Sequence, residues 1–362
     1  MSEIDLRSAG SSQTTAPGPL FVVSMWRSGS SLLYALLNKH PRVALMYEAD
    51  LLLLKPVFLK PELLCDWAER WEFWNDAFRR HGMRPSDVGD EICDFRTAFT
   101  ATHQLYAQRR GATVWGDKSP NYYDRLNEMA DDFPDARFII VWRDPKGTAN
   151  SILRAASLGN SYFSRKGAAF CGLLGYEAFK RECARLLSRG KAVCQVNYED
   201  LIADTPSVMR RVCEFLQIPY DERLSVLEGA DRSAILAGKH HANLRGNQIV
   251  RGPRPELIEP EFRDKIDCYC MLWRKRYGPE WPPFPQAVGT AVPPSWTQRA
   301  ADRVRYSLFR LRDRISPLGF SWAPLGLLHS YRARKARRAE NIVSPTRPTS
   351  PLSNPPAGES HS

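Results

Sequence analysis

The sequence lacks several features that would assign it to a common class of protein. No run approaches the roughly 20 apolar residues of a transmembrane helix, so we expect no bilayer-spanning segment. The eight cysteines lack the paired spacing of zinc sites and disulfide frameworks, and Cys268 and Cys270 stand too close for an ordinary zinc knuckle. His240 and His241 have no cysteine or carboxylate at metal-ligand spacing. These absences predict reduced thiols and no metal site.

Net positive charge is also small over most of the chain. From Trp296 onward there are 12 Arg and Lys against 4 Asp and Glu, a charge of +8, which leaves +3 of the total +11 for residues 1–295. A basic surface over the main part is therefore not expected, and this argues against nucleic acid as a partner. Residues 1–19 are polar, without the apolar segment of a signal peptide, and we expect them to be disordered. Together with reduced thiols this predicts a cytoplasmic location.

Residues 20–37 have the pattern of a strand, a tight loop and a helix. An apolar run from Leu20 to Met25 precedes the loop Arg27-Ser28-Gly29-Ser30-Ser31, and leucines at helical spacing follow. This layout directs backbone N–H groups and the positive end of a helix towards an anion, and Arg27 adds a fixed charge. The loop has no Gly-Lys-Ser/Thr ending, so it is not a Walker A loop. A phosphate is the expected ligand, although a serine-capped helix without a ligand would have the same pattern.

A second strand and helix meet at Arg143. The apolar run from Phe138 to Trp142 ends there, Asp144 suits an N-cap, and Pro145 suits the first helical turn. Ser151 lies two turns further on, so a guanidinium and a hydroxyl could hold a second phosphate between them. The alternative is an Arg-Asp pair that closes the turn.

Strands and helices alternate along the chain, which predicts the α/β class. The expected strands are Leu20–Met25, Thr113–Trp115, Arg137–Trp142 and Ala192–Val196. They predict a P-loop-like, mainly parallel sheet flanked by helices, with ligands at the carboxyl ends of the strands. A helical insertion is expected at about residues 50–110, where Trp67, Trp71, Trp74 and Phe78 form either a core stripe or the wall of an acceptor pocket.

Together these segments resemble the sulfotransferases that use 3′-phosphoadenosine 5′-phosphosulfate (PAPS). In that family the first loop surrounds the 5′-phosphosulfate, and an Arg with a Ser eight positions later, here Arg143 and Ser151, holds the 3′-phosphate. The wording WRSGSS is similar to the carbohydrate and tyrosylprotein branches and their bacterial relatives. Further similar segments, in the family's order, are HPRVALMYEAD (40–50), WGDKSPNYYDRL (115–126), VNYEDLIADTP (196–206) and GNQIVRG (246–252).

The resemblance implies a role for several residues. Glu48 is the base for the acceptor hydroxyl, with Asp50 as a substitute, while Lys118 and Arg27 stabilise the leaving phosphate. The nucleotide is held by residues 27–31, Arg143, Ser151, Tyr198, Asn247 and Arg251, and no metal is required. Asp117 offers another interpretation, as a structural partner of Lys118. The acceptor is expected to carry a hydroxyl on a carbohydrate, a lipid or another small molecule.

The domain organisation follows from these segments. A sulfotransferase domain is expected over residues 20–285, then a basic amphipathic helical tail over residues 296–340 and disorder over residues 341–362. In the tail, Val304, Leu308, Leu311 and Ile315 form a stripe among arginines, which is typical of helices that lie on anionic membranes. Docking on its own domain is the alternative. Two other functions stay open, a P-loop small-molecule kinase and a non-catalytic membrane-surface protein on a sulfotransferase scaffold.

Overall fold

The computed structural model describes residues 18–89, 92, 94–160, 162–163, 167–236, 244–251, 255–278, 294–322, 326–327 and 330. Residues 1–322 form one compact unit and residues 323–362 a second. The predictions of disorder for residues 1–19, of which only 18 and 19 are described, and for residues 341–362 fall outside the described residues, as do the His240–His241 pair and most of the tail beyond Trp322. Across the described ranges, no helix combines the length and the apolar composition needed to cross a membrane.

A parallel sheet of five strands forms the centre of the first unit. Its strands are β1 (Leu20–Ser24), β2 (Val43–Tyr47), β3 (Val114–Lys118), β4 (Arg137–Trp142) and β5 (Ala192–Asn197), in the order β2-β3-β1-β4-β5. Leu20 of β1 aligns with Gly116 of β3 and with Arg137 of β4, and every pairing is parallel. The inner strands are runs of buried residues, because helices cover both faces of the sheet. The predicted α/β fold is confirmed.

Helices occupy most of the remaining chain. The α-helices are α1 (Ser30–Leu37), α2 (Trp67–Asn75), α3 (Ala77–Arg80), α4 (Phe95–Arg109), α5 (Leu126–Asp132), α6 (Pro145–Ser157), α7 (Ala168–Ser188), α8 (Tyr198–Ala203), α9 (Thr205–Leu216), α10 (Ser233–Leu236), α11 (Pro260–Tyr277) and α12 (Trp296–Trp322). Short 3₁₀ helices cover Leu51–Leu59, Pro61–Asp66, Pro85–Asp87, Pro120–Tyr122 and Glu222–Ser225.

Side chains that alternate along each strand supply two hydrophobic layers. Phe21 and Val23 of β1 belong to the layer that also contains residues of α4, α5 and α7, whereas Leu20 and Val22 belong to the layer with α1 and α9. This period of two is the geometry of a strand buried on both faces. The polar loops are therefore left at the ends of the strands.

The strand order separates two of these loops. After β1 the chain crosses to β2, on one side of the sheet, and after β4 it crosses to β5, on the other side. The loops that follow the neighbouring strands β1 and β4 therefore diverge and leave a crevice between them, which is where ligands bind in open α/β sheets. The first loop and Arg143 both stand at this crevice.

The helical insertion differs in detail from the prediction. Much of it is 3₁₀ helix, and α2 ends at Asp76, whose φ of 52° places it in the left-handed region. Trp71 and Phe78 are fully buried and stack edge to face, with ring centroids 4.9 Å apart. The aromatic stripe of this region is therefore part of the core.

Candidate active site

A cleft of about 270 Å³ lies at the carboxyl ends of the strands. It is lined by residues from the loops after all five strands together with later segments: Trp26, Arg27, Gly29, Ser30, Ser31, Leu32, Glu48, Lys118, Pro120, Asn121, Arg143, Ser151, Asn160, Tyr162, Phe163, Tyr198, Leu227, Leu244, Ile249 and Val250. Nine of the twelve residues predicted for the site lie in this one cleft. Their roles towards a ligand stay predictions.

The first loop turns sharply so that its backbone faces the cleft. Arg27 and Gly29 both have positive φ, 64° and 96°, and Gly29 is the N-cap of α1. A β-carbon on Gly29 would lie 2.1 Å from Cδ2 of Tyr198. Glycine is therefore required at position 29 for two reasons, the positive φ of the backbone and the close approach of the Tyr198 ring. The N–H groups of Ser30 and Ser31 precede the first intrahelical acceptor of α1, whereas those of Leu32 and Leu33 donate to the carbonyl oxygen of Gly29 at 2.9 and 3.3 Å.

Two arginines join the first loop to the loop after β4. Arg27 Nε donates to Ser151 Oγ at 3.2 Å, and Arg143 Nη1 donates to the carbonyl oxygen of Arg27 at 2.7 Å. The Arg143 guanidinium also lies 4.3 Å from the centroid of the Tyr198 ring. Burial, with a contribution from the positive charge of Arg143, lowers the pKa of Arg27 to about 10, so the Arg27 side chain remains cationic at neutral pH. The cleft thus has a concentrated positive end.

Hydrogen bonds to Tyr176 fix the backbone of Arg143, while one N–H donor of its guanidinium has no partner among the described residues. Its backbone N–H donates to Tyr176 Oη at 3.1 Å, and the Tyr176 hydroxyl donates back to its carbonyl oxygen. Its Nε is buried and has no hydrogen-bond partner among the described residues. As predicted, Asp144 caps α6, its carboxylate accepting from the Gly147 N–H at 3.0 Å. The Arg143 side chain lines the cleft beside a second cation, Arg27, and the Ser151 hydroxyl, an arrangement that fits an anionic ligand group.

Glu48 and Lys118 form an ion pair on the other side of the first loop. Lys118 Nζ lies 2.7 Å from Glu48 Oε1 and donates to Ser31 Oγ at 3.2 Å. The ammonium also stands 4.3 Å from the centroid of the Tyr47 ring. The lysine side chain is 1% exposed and the glutamate side chain 29% exposed, so solvent reaches only the carboxylate. The alternative pairing of Lys118 with Asp117 is wrong, because the two side chains leave β3 on opposite faces.

Asp117 instead holds the backbone that carries Glu48. Its carboxylate accepts from the N–H groups of Ala49 (3.3 Å) and Asp50 (3.2 Å) and from the Tyr122 hydroxyl (2.8 Å). Glu48 itself has a positive φ of 48°, as does Asp50 at 58°. A left-handed conformation is costly for residues other than glycine, so these contacts are needed to maintain it.

Further side chains fix the same segment from the outside. The carbonyl oxygen of Glu48 accepts from Asn75 Nδ2 at 2.8 Å and from Arg80 Nη2 at 2.9 Å. Trp71 Nε1 donates to the carbonyl oxygen of Ala49 at 2.6 Å. Asn75, Arg80 and Trp71 come from α2 and α3, so the helical insertion positions the carboxylate without lining the cleft. No local sequence signal distinguishes Asn75 or Arg80 from surface residues.

The substitute base Asp50 does not face the cleft. It is buried, accepts from the Ser119 hydroxyl and accepts from Asn121 Nδ2 at 2.9 Å. Burial, with the charge of Glu48, raises the pKa of Asp50 to about 6. Burial and the charge of Asp50 raise the pKa of Asp117 to about 7. The two carboxyl groups are therefore a buried structural pair, while Glu48 is the carboxylate that the cleft presents.

Three predicted residues do not line the cleft. Ser28 is fully buried beneath the first loop. Asn247 and Arg251 are exposed, and Asn247 Oδ1 accepts from Arg232 Nη2 at 3.1 Å. From the same segment, Ile249 and Val250 line the cleft instead. His103, set aside as a base, is a core residue stacked on Phe99 with ring centroids 3.8 Å apart.

An aromatic wall of the cleft was not anticipated from the sequence. Trp26 directly precedes Arg27 and packs edge to face on Tyr162, with centroids 5.4 Å apart, while Phe163 lies beside them. Trp26 Nε1 donates to Asn121 Oδ1 at 3.2 Å, which connects this wall to the buried Asp50. The described part of the chain contains no cluster of three or more His, Cys, Asp or Glu side chains able to hold a metal ion.

Comparison with known proteins identifies the family. A sequence profile of the sulfotransferase family matches residues 19–222, which is more than half of the chain and contains all five strands. The chain belongs to the sulfotransferase family. The resemblance inferred from its motifs is thereby confirmed.

This sulfotransferase is similar to protein-tyrosine sulfotransferases of animals. Protein-tyrosine sulfotransferase A of Caenorhabditis elegans is 26% identical over 253 residues, 68% of this chain and 60% of that protein. Protein-tyrosine sulfotransferase 1 of Danio rerio is 24% identical over 206 residues, 56% of this chain and 54% of that protein. The chain thus spans 60% or less of the length of these relatives. Among solved structures, the sulfotransferase domain from the curacin biosynthetic pathway has a TM-score of 0.47 and 20% identity, covering 70% of this chain and 97% of that chain.

Proposed function

We propose that this sulfotransferase moves a sulfuryl group from PAPS to a hydroxyl group of an acceptor, with Glu48 as the base and without a metal ion. The observation that carries the proposal is the convergence, in one cleft, of two anion-binding loops with an acid–lysine pair. A nucleotide with phosphate groups at its two ends requires two such loops on the same cavity. The helix end of the first loop and the arginines beside Ser151 meet this requirement.

The residues of the cleft divide naturally between the two ends of such a nucleotide. Arg143 and Ser151, which both line the cleft, would hold the 3′-phosphate. The Tyr198 ring, packed between Gly29 and the Arg143 guanidinium, would lie against the adenine. The α1 N-terminus and Ser31 would bind the 5′ phosphate from which the sulfuryl group leaves.

The acid–lysine pair supplies the proton transfer and the charge stabilisation. A hydroxyl is a poor nucleophile until its proton is being removed, and Glu48 is the carboxylate on the cleft wall that can accept it. Lys118, 2.7 Å from Glu48, is a preplaced cation for the negative charge that grows on the leaving phosphate. A phosphate beside Lys118 would compete with Glu48 for the ammonium, which would release the carboxylate to act as a base.

The acceptor side of the cleft favours a hydroxyl on an apolar or aromatic body. Trp26 and Phe163 form this wall, whereas Leu227 and Ile249, which also line the cleft, pack in the hydrophobic layer of Tyr198. The animal relatives are named for sulfation of protein tyrosines, and a phenol side chain suits such a wall. A lipid or a sugar with an apolar substituent would meet the same surface.

Two substitutions separate binding from chemistry. Arg143→Ala should weaken binding of adenosine 3′,5′-bisphosphate by about 10- to 100-fold, since it removes charge-assisted hydrogen bonds. Glu48→Gln should bind the nucleotide normally but lose about 10²–10⁴-fold in turnover. Isothermal titration calorimetry measures the first effect, and transfer from radiolabelled PAPS to a panel of phenols, lipids and sugars measures the second. Arg185→Ala, an exposed arginine on α7, is the matched control.

The outcomes are decisive for separate parts of the proposal. Unchanged affinity in Arg143→Ala would remove Arg143 from the nucleotide site. Normal turnover in Glu48→Gln would reject Glu48 as the base. Binding of ATP with magnesium in preference to the bisphosphate would favour the kinase alternative and overturn the donor assignment.

A further inference from the structure

Helix α12, the last element of the first unit, packs on the rest of that unit through one polar and aromatic face. Arg310 Nη2 lies 2.6 Å from both carboxylate oxygens of Asp124, and the Tyr306 and Tyr123 hydroxyls are 2.8 Å apart. Asp302 accepts from Lys265 Nζ at 3.0 Å and from the Tyr269 hydroxyl at 2.8 Å. The face of α12 that packs on the protein is therefore not its aliphatic face. Packing on the domain and contact with a membrane, the two alternatives for this part of the tail, are thus compatible.

Three aliphatic residues of α12 face away from the elements on which the helix packs, unlike Phe309, which is buried. Val304, Leu308 and Leu311 are 60%, 63% and 52% exposed, and we call these three residues the outer stripe. With 3.6 residues per turn, positions 304, 308 and 311 share one face of a helix, and positions 302, 306 and 309 lie on the opposite face. Trp296, 74% exposed, begins the same helix. Three adjacent aliphatic side chains in water are costly unless something covers them.

Basic residues border the outer stripe. Arg303 and Arg305, both exposed, flank Val304 at about a quarter turn to either side, and the Arg305 guanidinium also lies 5.8 Å from the centroid of the Phe170 ring. The acidic Asp302 is buried against Lys265 and Tyr269, so its carboxylate is turned away from the stripe. The outward surface of α12 thus combines an apolar centre with a positive margin, within a segment from Trp296 onward whose charge is +8.

We propose that the outer stripe is a docking surface for an anionic lipid bilayer. An aliphatic row with arginines beside it matches the acyl boundary and the negative headgroups of such a membrane. A second copy of the chain is a poorer match, because a symmetric contact would bring the arginines of both copies together. Residues 323–362 carry 6 Arg and Lys against 2 Asp and Glu, so their charge also opposes this surface.

Docking would place the membrane next to the cleft. On the inner face of α12, Phe309 packs on Trp26 with ring centroids 5.7 Å apart, and Trp26 lines the cleft. The outer stripe is on the far side of the same helix, about 10 Å away given the diameter of a helix with its side chains. The ion pair between Arg310 and Asp124 keeps the helix on the unit, so the surface is formed before any lipid is met.

Vesicle flotation of the full chain tests this proposal. We expect binding to vesicles of phosphatidylcholine with 30% phosphatidylglycerol, little binding to phosphatidylcholine alone, and weaker binding as salt rises. The double variant Leu308→Glu with Leu311→Glu should lose about tenfold or more in vesicle affinity, since it removes two aliphatic side chains and adds two negative charges. The matched control is Leu158→Glu with Leu187→Glu, which makes the same charge change at residues 56% and 46% exposed at the carboxyl ends of α6 and α7.

Each outcome of the flotation experiment either supports or overturns the membrane proposal. Adenosine 3′,5′-bisphosphate affinity equal to that of the unmodified chain shows that both double variants are folded and that the cleft is intact. Absence of binding to the anionic vesicles overturns the proposal. An equal loss of vesicle affinity in the control variant also overturns it, because the binding would then depend on charge alone. Retained binding after substitution of the outer stripe overturns it as well, because the attachment would then belong to residues 323–362. A dimer that dissociates only in the Leu308 and Leu311 variant would show that a second copy covers the stripe.

Discussion

Removal of the two partners of the Glu48–Lys118 pair should have unequal effects on stability. The lysine side chain is 1% exposed and the glutamate side chain 29% exposed. Glu48→Ala leaves a buried ammonium without a counter-charge, whereas Lys118→Met leaves a carboxylate that water can still reach. The first variant should therefore be much less stable than the second.

The structure sets the size of the difference. Loss of one partner from a buried ion pair costs about 3–5 kcal/mol, because a buried charge is left uncompensated. Here Ser31 Oγ, 3.2 Å from Nζ, and the Tyr47 ring, 4.3 Å away, continue to stabilise the ammonium. We therefore expect about 3 kcal/mol for Glu48→Ala, or on the order of 5 °C in Tm for a unit of this size. For Lys118→Met, whose straight side chain fills the same space, we expect about 1 kcal/mol or less.

Urea unfolding followed by circular dichroism measures both free energies. Glu48→Gln serves as the control, because its amide oxygen can still accept from Lys118 and should recover part of the loss. The reasoning is refuted if Lys118→Met is as unstable as Glu48→Ala. It is also refuted if Glu48→Ala unfolds at the same urea concentration as the unmodified chain.

Two further predictions concern the backbone and the buried acids. Gly29→Ala should cost about 1–2 kcal/mol from its positive φ and also weaken nucleotide binding, because the new β-carbon would meet Tyr198 at 2.1 Å. Gly111→Ala, with a φ of 64° and nothing within 4 Å, isolates the backbone cost, and equal nucleotide affinity in both variants would contradict the steric argument. Burial and the charge of Asp50 raise the pKa of Asp117 to about 7, above the value of about 3.9 in unfolded chains. Ionisation of this carboxyl therefore lowers the free energy of unfolding increasingly as pH rises from 4 to 7. The stability of Asp117→Asn relative to the unmodified chain should therefore improve over that range, and parallel pH profiles of the two free energies of unfolding would contradict this.

Much of the fold could be predicted because its signals are local. A strand buried on both faces needs a continuous apolar run, and a helix that begins at an anion site needs small residues and a cap. β1 and β4 therefore appeared within a residue of their observed ends. The same reasoning put the first loop, Arg143 and Lys118 at the carboxyl ends of strands. β3 runs from Val114 to Lys118, three residues beyond the predicted end of Thr113–Trp115, since Gly116 and Asp117 are weak strand formers that are held in place by their neighbours.

The contacts inside the cleft were decided only by the tertiary structure. Glu48 meets Lys118 across 70 residues of sequence, and Arg27 meets Ser151 across 124. Such pairs depend on strand order and on backbone conformations, like the positive φ of Glu48, that no local preference favours. The periodicity of α12 likewise defines its apolar stripe, but not whether the stripe faces inward. Hydrophobicity alone would bury it, and the polar partners Asp124, Lys265 and Tyr269, distant in sequence, turn the opposite face of the helix inward. Local chemistry therefore determined which elements form and which residues stand at their ends, while long-range packing determined which side chains meet.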